Sequence, residues 1–147
     1  MTARFTLPIL LLLAPAIPLH ADLTQAQAEP NLEKRSKLAL DNAAAALKSA
    51  RTAYADGETN KVQTLLTEVG QSVDLAQSSL QQTGKNPRKS PKYFKRAEIE
   101  TRALLKKVEA FQDEMNVSDR PMLDALRGKV QQVHDDLLMG IMEGKHK

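Results

Sequence analysis

Residues 59–83 read TNKVQTLLTEVGQSVDLAQSSLQQT, and within them Val62, Leu66, Val69, Val73, Ala76 and Leu80 recur at alternating steps of four and three. That spacing puts all six on one side of a helix and gives the narrow apolar seam of a coiled-coil-like packing element. A strand is excluded, because no part of the stretch alternates with period two and aromatic residues are scarce throughout the chain. Gly84 is the expected stop, and Gly70 sits inside the helix at a cost of about 1 kcal/mol relative to alanine.

Upstream, Asn31 is placed to cap a helix that carries Leu32, Leu40, Ala43, Leu47, Ala50 and Tyr54 at steps of three and four. The run Ala43 to Ala46 favours helix and permits close approach of a neighbour. Gly57 closes this pattern, and since only Asp56 to Glu58 separate the two, they predict a tight antiparallel hairpin. Downstream, Ser90 and Pro91 are placed as N-cap and first helical residue of a third pattern. It runs through Phe94, Ala97, Thr101, Leu104, Val108, Phe111 and Met115. In the fourth, Ser118 is the expected cap, Val117 and Met122 a hydrophobic staple, and Leu123, Leu126, Val130, Val133, Leu137 and Ile141 the seam, with Gly140 and Gly144 loosening its end.

The fold class is therefore all-α: four antiparallel amphipathic helices of about 25 residues, roughly 37 Å each at helical rise. They form either an up-down-up-down bundle or two helical hairpins. Residues 31–147 make one helical-bundle domain, with 84–91 as its central connection.

The chain begins differently. Arg4 precedes an apolar stretch from Phe5 to Leu19 that is short and broken by Pro8, Pro15 and Pro18. It reads as a cleavable signal peptide over residues 1–21, with Ala28 as an alternative end, and implies a secreted or periplasmic protein with no transmembrane anchor after cleavage. Residues 22–30 read as a flexible leader. Within it Leu23-Thr24-Gln25-Ala26-Gln27 resembles the LTxxQ pattern of small helical periplasmic stress chaperones; no second copy follows, and no residue role is carried over.

There is no cysteine, which excludes disulfides, thiolate chemistry and cysteine-bound zinc. A small extracytoplasmic domain without disulfides is held by packing alone. His134 and His146 are the histidines left after the signal, and His134 has no carboxylate or second histidine three or four residues away to form a helix-borne metal pair. Paired acids such as Glu98 and Glu100 fall on solvated faces, and neither a glycine-rich phosphate loop nor GxSxG is present. The expectation is a non-enzymatic protein with no cofactor and no metal.

What stands out chemically is Gly84 to Arg96, GKNPRKSPKYFKR, with six basic residues, no acid, and the adjacent aromatics Tyr93 and Phe94. Phe94 belongs to the third seam, which leaves Lys85, Arg88, Lys89, Lys92, Tyr93, Lys95 and Arg96 as the candidate anion- or partner-binding residues. Lys89 and Lys92 flank a helix N-terminus, where cations add to the electropositive amides. Alternating helix direction brings this connection to the same pole as Lys34, Arg35 and Lys37 and as Lys145 and Lys147. Asp56, Glu58, Asp113, Glu114 and Asp119 collect at the other pole, so a charge dipole is expected.

The partner this implies is an acidic protein or an anionic envelope component, with nucleic acid ranked last because Tyr93 alone is free to stack. A homo-oligomer is compatible with the exposed ends of two hairpins. The leading function is a cell-envelope interaction or structural role through the basic pole. The alternative is a periplasmic chaperone or stress adaptor whose open hairpins offer their seams to clients.

Overall fold

The computed structural model describes residues 23–143, and among these every regular element is helical. The elements are α1 (Leu23–Ala28), α2 (Leu32–Ala55), α3 (Thr59–Gln82), α4 (Lys92–Glu114), a 3₁₀ turn (Arg120–Leu123) and α5 (Asp124–Glu143). The signal peptide expected over residues 1–21, together with Lys145, His146 and Lys147, lies outside the described residues.

The first hairpin follows its sequence signals closely. The Asn31 side chain accepts the Lys34 N–H at 2.8 Å, closing the start of α2. At the other end Gly57 adopts φ +75°, its N–H donates to the Tyr54 carbonyl at 3.1 Å, and the Glu58 N–H reaches back to the Ala53 carbonyl at 2.9 Å. This is a Schellman closure, which turns the chain within three residues. Ala39, Ala43, Ala46, Ala50 and Ala53 on α2 are all essentially without solvent exposure, facing α3 across the tightest interface in the molecule.

All six expected seam residues of α3 are buried, and so are Leu65, Ser72 and Ser79. The stripe is wider than a coiled-coil seam because α3 packs on α5 as well as α2. One polar group crosses the first interface: the Asn42 amide donates to Ser72 Oγ at 2.9 Å and to Glu68 Oε1 at 3.0 Å. It fixes which turn of α2 faces which turn of α3, since a slip of one turn would strand a buried amide.

α4 and α5 form the second hairpin, with every expected seam residue from Phe94 to Met115 buried and Leu123, Leu126, Val130, Val133 and Leu137 likewise. Ile141 is only partly covered. Between hairpins, α2 lies beside α4 and α3 beside α5. Arg51 pairs with Glu114 near the ends of α2 and α4, whereas Ser36, Leu40 and Ala97 line one cleft near their beginnings, so these neighbours run parallel. Lys129 with Asp74 at 2.5 Å and Asp136 with Gln77 at 2.9 Å show the same sense for α3 and α5. A ring of purely antiparallel neighbours is therefore not what the contacts describe.

Three sequence expectations are corrected. Leu23–Ala28 is helical where a flexible leader was expected: Ala26 is buried, and Arg35 Nε holds the Glu29 carbonyl at 2.7 Å. A helix this short gains its order from tertiary contact, which leaves no apolar period to read. Ser90 does not cap α4; Pro91 occupies the N-cap position and no side chain caps it. Ser118 and the Val117–Met122 staple do not start α5, because Val117 is 77% exposed and the 3₁₀ turn intervenes.

That upper connection is held instead by Tyr54, whose hydroxyl donates to Asp119 Oδ2 at 2.8 Å and accepts the Asn116 N–H at 3.0 Å. Gln112 adds bonds to the Arg120 carbonyl at 2.9 Å and to Asp124 Oδ1 at 2.7 Å. Tyr54→Phe removes both hydroxyl bonds at constant ring volume, and the expected loss is about 1–2 kcal/mol in urea denaturation. A smaller loss would mean that solvent satisfies Asp119 and Asn116 equally well.

Candidate functional site: the basic pole

The connection from Thr83 to Pro91 is built by two devices. Gly84, at φ +68°, ends α3 in the left-handed conformation that glycine adopts without penalty, its N–H on the Gln81 carbonyl at 3.1 Å. Asn86 then organises the turn: its Oδ1 accepts the N–H of Arg88 at 2.9 Å and of Lys89 at 3.3 Å, and its carbonyl accepts the Ser90 N–H at 2.8 Å. Arg88 and Lys89 are thus displayed from an ordered turn.

Pro87 rests against α5. A Cβ on Gly140 would come within 3.3 Å of Pro87 Cγ, so Gly140 is a place of close approach where a loosened helix end was expected. The contact brings the basic connection to the last turns of α5, and the Lys85–Glu33 ion pair brings it to the first turn of α2. The three segments expected at one pole therefore meet there in their described parts.

The seven candidate residues divide by what they touch. Lys85 is engaged by Glu33, and Arg96 Nε by Glu100 Oε1 at 3.0 Å. Tyr93 has two ammonium groups over its ring, Lys85 Nζ at 5.5 Å and Lys92 Nζ at 5.4 Å from its centre. Both are within cation–π range. Arg88, Lys89 and Lys95 are exposed, and their side chains have no ion-pair partner among the described residues.

Two flanks of different character border this tip. On one side a cleft of about 410 Å³ is lined by Glu29, Glu33, Lys34, Tyr93, Arg96 and Glu100 among others. Its acids neutralise Lys34, Lys85 and Arg96. On the other side a groove of about 290 Å³ runs between α3 and α5 past Lys85, Pro87, Phe94, Leu137, Met139 and Gly140. That flank is mainly apolar.

Electrostatics tie the cleft side down. The Lys85 ammonium holds the Glu33 carboxyl below its usual range, and Glu33 in turn raises Lys85. Lys34 and the Asn31 N–H lower Glu29 in the same way. A depressed carboxyl contributes stability that is present above its unfolded value and lost as pH falls through its folded value; a raised ammonium contributes below its unfolded value and loses that contribution as pH rises through the folded one. The Glu33–Lys85 link therefore holds across neutral pH and opens in acid. Carboxyl titration by NMR should place Glu33 lower in the folded chain than in the urea-unfolded one, and Lys85→Gln should remove most of that difference.

The expected charge dipole is only half formed. The pole that collects Asp56, Glu58, Asp113, Glu114 and Asp119 also holds Arg51 on Glu114, Lys61 on Glu58 at 3.1 Å, and Arg120 on the Asp113 carbonyl at 3.3 Å. Exposed cations without an ion-pair partner among the described residues are clustered at the basic pole as Arg88, Lys89 and Lys95, and occur along α2 and α4 as Lys48, Lys106 and Lys107.

His134 has no carboxylate or histidine three or four residues away on its own helix, and its partner lies on another helix. Its Nε2 is 3.0 Å from Glu98 Oε1 on α4 and its Nδ1 3.0 Å from Asp135 Oδ1, while Arg102 Nε approaches the same Glu98 oxygen at 3.4 Å. The bond from His134 holds Asp135 below the usual carboxylate range. Glu98, expected on a solvated face, is buried in this contact. Only hairpin packing brings Glu98 and His134 together, so spacing along one helix does not reveal the pair. Among the described residues no group of three or more histidines, aspartates and glutamates is arranged to hold a metal ion.

The seams on which a client-binding role would rest are buried between helices. No described helix is long and apolar enough to cross a membrane. No known family, curated protein or solved structure matches this chain.

Proposed function

We propose that the protein is a non-enzymatic component of the cell envelope, secreted or periplasmic, that binds an anionic partner through the basic pole. The observation that carries the reading is the display of Arg88 and Lys89 from the Asn86-organised turn and of Lys95 from the start of α4, without ion-pair partners among the described residues, beside Lys92 and Tyr93. A basic loop whose only task is solubility has no need of a fixed backbone. Charge presented from a fixed turn loses less entropy on meeting a partner than charge on a floppy one.

Lys85 and Arg96 support the surface and are not its main contacts, because each already satisfies an acid. Binding through the tip is salt-sensitive, since the cations are solvent-exposed. The test is co-sedimentation of the protein with isolated envelopes at low and high salt, beside a variant with Arg88, Lys89, Lys92, Lys95 and Arg96 changed to glutamine. Equal recovery of both proteins in the soluble fraction at every salt concentration would refute the proposal.

A further inference from the structure

Among the described residues most large apolar side chains are buried, but Leu138, Met139 and Met142 are exposed, at 39%, 49% and 67%. They occupy consecutive turns at the end of α5, Met139 three residues and Leu138 four residues before Met142, so they form one patch. The patch lies at the basic pole: Met139 lines the same groove as Lys85 and Pro87, and Pro87 packs on Gly140. Asp135 and Asp136 sit about one turn further from that end. Asp135 is bonded to His134 and Gln131, and Asp136 to Gln77.

A soluble polyanion or an acidic protein tail would use the cations and has no evident use for a methionine patch beside them. Clustered lysine and arginine next to exposed, flexible apolar side chains and one tyrosine is the composition of a surface that sits at a bilayer interface. There the cations meet headgroup phosphates, methionines enter the acyl boundary, and tyrosine takes the headgroup level. We propose that the basic pole docks end-on against an anionic lipid bilayer, with Arg88, Lys89, Lys92 and Lys95 on the headgroups and Met139 and Met142 inserted. This inference rests on the reading of the basic pole as an anion-binding surface and adds its occupant.

The chain contains no tryptophan, so a single one reports position cleanly. Full-length Met142→Trp is mixed with phosphatidylglycerol vesicles and with phosphatidylcholine vesicles, and its emission and quenching by brominated acyl chains are followed. Val117→Trp, on the exposed connection between α4 and α5, is the positional control. The expected result is a blue shift and quenching of Met142→Trp with anionic vesicles only, reversed by salt, absent in the five-glutamine background, and absent in Val117→Trp. Met139→Ser is expected to weaken the partitioning of Met142→Trp about threefold or more, as loss of one buried thioether side chain requires.

A shift of equal size in Val117→Trp overturns end-on docking. A concentration-dependent shift of Met142→Trp without vesicles overturns the bilayer in favour of self-association through the patch. If Met142→Trp is unmoved by vesicles while the protein binds soluble polyphosphate in a salt-sensitive way, the bilayer is wrong and the anion-binding pole stands. If neither probe is bound, both fall.

Discussion

Phe111→Ala should remove about 3–5 kcal/mol of folding stability, the range for deleting a buried phenylalanine ring. Phe111 is 1% exposed and its ring meets that of Tyr54 in a T-shaped contact at 5.8 Å and 70°. It therefore links the end of α4 to the end of α2, at the pole where Tyr54 also holds the 115–123 connection. Such pairs contribute about 0.5–1.5 kcal/mol beyond the area they bury. A domain of this size is stable by about 5–15 kcal/mol, so this loss is a large share of the total. Phe111→Leu keeps most of the volume and should cost about 1.5 kcal/mol or less. Urea denaturation of the two variants decides the matter: equal and small losses would mean that the hairpins do not close on each other around this ring.

The second large effect concerns binding and leaves the fold alone. Glutamine at Arg88, Lys89, Lys92, Lys95 and Arg96 removes five positive charges from exposed positions, where substitutions change stability by no more than about 0.5 kcal/mol. Near an anionic surface each such charge contributes about 1 kcal/mol. Arg96 counts for less, because Glu100 already holds it. Affinity for envelopes should therefore fall by about a hundred- to a thousandfold at low salt, with little further loss on raising the salt. The matching control changes Lys48, Lys61, Lys106, Lys107 and Arg127 to glutamine. It removes the same number of charges elsewhere and should bind as the unmodified protein does. If both variants weaken alike, net charge is the cause and the pole has no special role.

Much of the helical layout is legible in residue spacing. Val62 to Leu80 on α3 and Phe94 to Met115 on α4 are buried as their steps of three and four require, because a one-sided seam is a local property of helix geometry. Asn31 and Gly57 work as read, since caps also depend on their immediate neighbours. What escaped depends on residues distant in the chain. α1 carries no period and is ordered by burial of Ala26. Ser118 has a capping residue's chemistry but loses its role where Tyr54, Gln112 and Arg120 impose a 3₁₀ turn.

The candidate site shows the same division. The density of cations in 84–96 is visible in the letters. Which of them are already spoken for is not: Lys85 lies 52 residues from Glu33. Gly140 looks like a weak helix end until Pro87 is seen against it. The patch of Leu138, Met139 and Met142 is not legible in the spacing, because it adjoins the seam residues Leu137 and Ile141 and only the packing of the other helices leaves it uncovered.

The division into two hairpins has a consequence for how the chain could be taken apart. Each hairpin is closed by its own turn, one at Gly57 and the other at 115–123, and residues 83–91 are their single covalent link. That link also carries three exposed sites, Lys85, Arg88 and Lys89, for a protease that cleaves after lysine or arginine. A cut there deletes no core residue and leaves two peptides whose complementary faces are already shaped for one another. The intact protein is in that sense a tethered heterodimer, in which the linker sets the effective concentration of the halves and packing does the rest.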